Sequence, residues 1–193
     1  MQKGAKKTKV AIIYGWAEGP WQGRSFNREL KKHGLEITTD IRRADVVIGH
    51  SLGCYLIPEN ARSKLVLLIS LPYWPNRSVF YSLTQKLKSE MVHHRRSKSL
   101  GWWTNKMIHN TWYILCRPQL SYYVLGRWPV DHLPDGASSR VIVVRPTDDT
   151  FCHPEVMSLV EKARNYKYIE INGAHDDCWF NPKPYVDLLL KEL

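Results

Sequence analysis

Six short runs of almost unbroken apolar residues constrain this chain more than any other feature: 9–14, 35–39, 45–49, 65–71, 140–146 and 166–171. A strand with one wet face alternates apolar and polar residues, whereas continuous Val/Ile/Leu runs suit strands covered on both faces of a parallel sheet. Helix-compatible stretches separate them, at 25–33 with Phe26 and Leu30 four apart, just after Ser51, at 155–165 and at 182–193. Strand and helix in alternation predict an α/β fold around a mostly parallel sheet of six strands. With 193 residues, 44% of them hydrophobic and 24% charged, the chain can bury one sizeable core, and disorder is not expected.

No apolar run approaches the roughly 18 to 20 residues that span a bilayer, and MQKGAKKTKV has basic residues without the apolar core of a signal peptide. A cytoplasmic location is the expectation. Cys54, Cys116, Cys152 and Cys178 have no C-x-x-C spacing, so free thiols are expected.

One segment breaks the alternation. Residues 72–135 carry +6 of the chain's net charge of +10, and 11 of its 22 aromatic residues, among them Trp74, Trp102, Trp103, Trp112 and Trp128. Phe80, Leu83, Leu87 and Met91 recur at helical spacing, as do Trp103, Met107, Ile108, Trp112 and Leu115, so this is a helical excursion. Strands resume at residue 140, which places the excursion between two strands of one sheet, where lids are inserted.

The run 45–49 ends in Gly49-His50-Ser51-Leu52-Gly53, a G-x-S-x-G pattern. Acyl transfer by a serine needs an exposed hydroxyl, a base, a group to orient the base, and donors where the oxyanion develops. G-x-S-x-G supplies the first, because the serine sits on a sharp turn from strand to helix and small neighbours let the backbones pass closely. Alone the pattern is weak; an apparent buried strand before it and a helix-compatible stretch after it supply the context that gives it weight. Acids and a histidine follow two later strands, in Thr147-Asp148-Asp149 and in Gly173-Ala174-His175-Asp176-Asp177. All three loops leave the carboxyl edge of the sheet, where ligands bind in open α/β folds. Spacing leaves Asp148 and Asp149 both open, and His153 competes with His175. Cys152, His153, His175, Asp176 and Cys178 match no compact zinc pattern, so no metal is expected.

The pieces "IGHSLG", "PTDD" and "NGAHDD", in this order, resemble the nucleophile elbow, acid turn and histidine turn of the α/β-hydrolase superfamily, over residues 9–193. The resemblance implies a three-layer α/β/α fold, with a core of residues 1–71 and 136–193 and a helical lid at 72–135. The family's acid stands three residues after a glycine, whose place Pro146 takes here, and this points to Asp149. His175 matches the family's histidine, two residues after Gly173. The resemblance further implies Ser51 as nucleophile, and an oxyanion hole from the backbone N–H groups of Leu52 and of Trp16 in "YGWAEGP". The chain departs from the family in three places: Tyr14-Gly15 stands where many members have His-Gly, the acid turn has one more residue than usual before Pro154, and the 35–46 connection is too short for a helix.

The function expected is hydrolysis of a carboxylic ester or related small acyl compound through a Ser-His-Asp triad, without a cofactor. In the lid, Trp102, Trp103 and Trp112 are candidates for the walls of the substrate pocket. The run His93-His94-Arg95-Arg96-Ser97-Lys98, beside Leu100, is compatible with an anionic membrane surface. Nucleic acid is disfavoured because no binding module accompanies the charge. An aromatic lid is also compatible with a homodimer. The alternative is a non-catalytic binding protein on the same scaffold, holding an anionic partner, lipid surface or nucleic acid, with the basic aromatic lid.

Overall fold

The computed structural model of the chain describes residues 7–58, 61–73, 78–97, 100–126, 130, 132–134 and 140–193. Trp74, Lys98 and Trp128 lie outside the described residues, as do the side chains of His93, His94 and Ser97. Six strands, β1 (Lys9–Ile13), β2 (Glu36–Ile37), β3 (Val46–His50), β4 (Leu65–Ile69), β5 (Val141–Pro146) and β6 (Tyr166–Ile171), form one sheet in the order β2-β1-β3-β4-β5-β6. Every pairing is parallel. The second strand is shorter than its apolar run suggests, and a 3₁₀ turn at Ile41–Arg43, capped by the Asp40 carboxylate, stands in the short connection to β3.

Both faces of the sheet are covered, which explains the unbroken apolar runs. Val46, Ile48, Leu67, Ile142 and Val144 face one layer, where they meet Phe26 and Leu30 of α1 (Arg24–Lys32), Trp179 of α6 (Asp177–Phe180), and Tyr185 and Leu189 of α7 (Lys183–Glu192). Val47, Val66, Leu68, Val141 and Val143 face the other, against Cys54 and against Val156 and Val160 of α5 (Val156–Lys162). β3 and β4 are buried throughout and β5 at every position but Arg145, at roughly 1.5 to 3 kcal/mol for each Val, Leu or Ile side chain fully covered.

Between β4 and β5 the described residues form three helices, α2 (Val79–Ser97), α3 (Leu100–Cys116) and α4 (Pro118–Gly126). At its start, Tyr73 bridges to Cys152 and its N–H donates to the Phe151 carbonyl, tying the insertion to the turn after β5. No helix among the described residues is long and apolar enough to cross a membrane.

Candidate active site

Ser51 follows β3 directly and has a φ of +52°, in the left-handed region that residues with a Cβ seldom occupy. The glycines around it are needed for close approach. A Cβ on Gly53 would sit 2.3 Å from the Ile13 carbonyl oxygen, and one on Gly49 would sit 2.8 Å from Cys54 Cα. Gly15 in the turn after β1 is held to the same closeness: a Cβ there would come within 2.8 Å of Ser51 Cβ. The helix-compatible stretch after Ser51 is a 3₁₀ helix, Ser51–Leu56.

Three loops meet at Ser51. His175, in the turn after β6, has Nε2 2.9 Å from Ser51 Oγ and Nδ1 2.9 and 3.0 Å from the two Asp149 carboxylate oxygens. Nδ1 faces a carboxylate, so it carries the proton, and Nε2 is left to accept from the serine hydroxyl. Asp149, buried in the turn after β5, also accepts from the amides of Phe151 at 2.7 Å and Cys152 at 3.1 Å. Burial alone would raise its carboxyl; the charge and N–H of His175 and the two amides outweigh this and hold it below the ordinary value. The rivals lie elsewhere. Asp148 is exposed and accepts from Arg96 Nη1 at 2.6 Å, while His153 is 3.6 Å from Glu155 in an ion-pair geometry.

Several groups around this line of hydrogen bonds were not legible in the sequence. His50, fully buried, places Nδ1 2.8 Å from the Glu18 carboxylate and Nε2 2.8 Å from the His175 carbonyl. Both partners are acceptors, so both ring nitrogens donate and His50 is an imidazolium. Burial would push its pKa down; the Glu18 carboxylate and then the Cys178 sulfur beside it reverse this and hold it well above the histidine norm. Glu18 also accepts from the Gly15 amide at 2.7 Å, and Ser70 Oγ donates to the His175 carbonyl at 2.7 Å. The turn after β1 and the turn carrying His175 are thus fixed to one buried ion pair.

A second charged group joins the insertion to the core. Lys106 on α3 donates to the Asp176 carboxylate and lies 2.9 Å from Glu90 on α2, which in turn is 2.6 Å from Lys86. Burial would lower the Lys106 ammonium, but Asp176 and Glu90 hold it above its ordinary value. Arg96 on α2 reaches three positions of the core, Asp177 at 3.2 Å, Asp148 at 2.6 Å and Asn172 at 3.0 Å.

Between insertion and sheet edge lies a cavity of about 50 Å³, bordered by Ser51, His175, Trp16 and Leu52. Phe151, Pro72, Val124 and Leu125 form its apolar part, and Gln22, Lys86, Lys106 and Asn110 its polar part. The expected walls are elsewhere. Trp102 packs on Phe180 and the core, Trp103 lines a groove with Leu87, Met91 and Met107, and Trp112 is largely exposed. The reason is the rotation of α3, which turns Lys106 and Asn110 inward and the Ile108 and Trp112 side outward.

His50, His175 and Asp176 bring three possible metal donors within 4.8 Å of one another. Each is already engaged, with the His175 carbonyl, Ser51 and Lys106 respectively. Cys152 and Cys178 lie in opposite layers of the core and cannot share an ion.

No protein-family model and no curated protein sequence matches the chain. The three-layer sheet, the elbow and the insertion after β4 together define the fold as that of the α/β-hydrolases. Among solved structures it is similar to the esterase RhEst1 from Rhodococcus sp. ECU1013, with a TM-score of 0.68 and 12% identity over 96% of this chain and 90% of the other. It is also similar to a hydrolase from Oleispira antarctica, with a TM-score of 0.63 and 10% identity over 98% and 93%. A third is the thioesterase domain of the curacin biosynthetic pathway, with a TM-score of 0.59 and 14% identity over 96% and 92%.

Proposed function

We propose that the protein is a serine hydrolase that cleaves a carboxylic ester or related acyl compound through an acyl-enzyme. The observation that carries this reading is the unbroken hydrogen-bonded line from Ser51 through His175 to Asp149, beside a cavity, with the serine held at positive φ. That solved structures with this fold include an esterase, a hydrolase and a thioesterase agrees with it.

In the reaction, Ser51 Oγ attacks the carbonyl carbon as its proton passes to His175 Nε2. Asp149 stabilises the imidazolium that forms. The carbonyl oxygen becomes an oxyanion, accepting from the backbone N–H groups of Leu52 and Trp16, both at the cavity. Collapse of this intermediate breaks the bond to the leaving alcohol, which takes the proton back from His175. Water, deprotonated by the same nitrogen, then releases the acid and restores Ser51. No step needs a metal or organic cofactor. The His50–Glu18 pair acts on His175 and the Gly15 turn from behind and touches no reacting atom. The insertion at 72–135 serves as the lid of a core formed by residues 1–71 and 136–193.

The small cavity favours a short acyl group. Its border includes two buried N–H groups without a partner among the described residues, Gln22 Nε2 and Trp16 Nε1, so an acyl group bearing an acceptor oxygen suits it better than plain alkyl. The test is turnover of nitrophenyl esters: Ser51→Ala should lower kcat by roughly 10⁶ with thermal unfolding unchanged. Turnover that survives this substitution rejects the reading.

A further inference from the structure

Helices α2, α3 and α4 are built inside out for a surface that faces water. On α3, Lys106 and Asn110 are 2% and 5% exposed, whereas Ile108, Trp112 and Leu115 are 63%, 67% and 68% exposed. On α2, Ser82, Gln85, Ser89 and Glu90 point inward, while Phe80, Leu83, Leu87 and Met91 form an outward stripe at i, i+3, i+7 and i+11. On α4, Ser121 is buried and Leu120, Tyr122 and Tyr123 are exposed. Twelve of the 15 large apolar side chains exposed among the described residues lie on these three helices. That concentration exceeds the scattered apolar residues of an ordinary wet surface and calls for an apolar neighbour. Small and polar residues inside with apolar residues outside is the arrangement of helices that meet hydrocarbon.

Charge identifies the neighbour. Glu90 is the only acid between residues 79 and 126, and it is buried between Lys86 and Lys106. Among the described residues, the exposed ionic groups flanking the apolar stripes are therefore all cations, Lys88, Arg95 and Arg117. A second copy docked face to face through this surface would set like charges against each other. Anionic headgroups above an acyl layer complement both features at once. No described helix can span a bilayer, so the helices would lie in its interface.

We propose that α2, α3 and α4 form a docking surface for a lipid bilayer with anionic headgroups, with Phe80, Ile108, Trp112 and Leu115 immersed and Lys88, Arg95 and Arg117 at headgroup level. The inference does not use the chemistry of Ser51 and stands or falls separately from it. The test is sedimentation of the intact protein with phosphatidylcholine vesicles, with and without phosphatidylglycerol. Binding is expected to the mixed vesicles and to weaken about fivefold for each exposed cation neutralised, as in Lys88→Gln and Arg95→Gln. The triple variant Phe80→Gln, Ile108→Gln, Leu115→Gln should keep its circular dichroism melt and lose binding at least tenfold, to the order of magnitude expected when immersed apolar area is removed. Wild type that ignores both vesicles overturns the proposal, as does a triple variant that binds like wild type. A dimer in the ultracentrifuge, lost in the triple variant and indifferent to vesicles, would assign the face to a second copy.

Discussion

The φ of +52° at Ser51 is maintained by neighbours that have no room to spare, above all Gly53 beneath the Ile13 carbonyl. Gly53→Ala should therefore destabilise the fold by more than the usual 1 kcal/mol or so of a point change, which thermal denaturation measures. Behind the serine, Glu18→Gln leaves a buried imidazolium without its counter-charge. A loss of about 3 kcal/mol is expected in urea titration, together with a fall in kcat as the His175 carbonyl and Gly15 amide lose their anchor. Because the His50 pKa is raised on folding, its contribution is complete below the unfolded value near 6.5 and lost as pH rises through the folded one. The stability gap between wild type and His50→Gln should accordingly shrink in alkali. Asp149 behaves oppositely: its lowered pKa stabilises above about pH 4 and the benefit disappears as pH falls through the folded value. The elbow was legible in the sequence because its glycines and serine are contiguous. Glu18 and His50 were not, because their partners lie 32 and 125 residues from His50 and leave no local pattern.

At the scale of elements, the strands were legible because a parallel strand buried on both faces writes itself as an unbroken apolar run. The orientation of α3 was not. Periodicity places Ile108, Trp112 and Leu115 on one face but does not say whether that face turns toward the sheet, and expecting it to turn inward led to Trp112 as a pocket wall. What rotates the helix is tertiary: Lys106 finds Asp176 and Glu90, and no neighbour along α3 announces them. Arg96 is the other link, holding the end of α2 to the loops after β5 and β6. Arg96→Gln should speed amide exchange at residues 88–97 about tenfold while leaving β3 and β4 protected, as measured by hydrogen exchange.

For the molecule as a whole, the sheet edge assembles the candidate chemistry, and residues of the insertion border the cavity beside it. A cavity of about 50 Å³ predicts that acetyl and butyryl esters are turned over faster than lauroyl esters by about tenfold or more. The proposed chemistry depends on Ser51 being the nucleophile, and one measurement bears on that directly: intact-mass analysis of the folded protein after reaction with a fluorophosphonate, with the adduct mapped by peptide sequencing. The account predicts a single adduct on Ser51, absent from Ser51→Ala and from His175→Ala. A folded wild type that stays unlabelled, or an adduct that persists in Ser51→Ala, would contradict it.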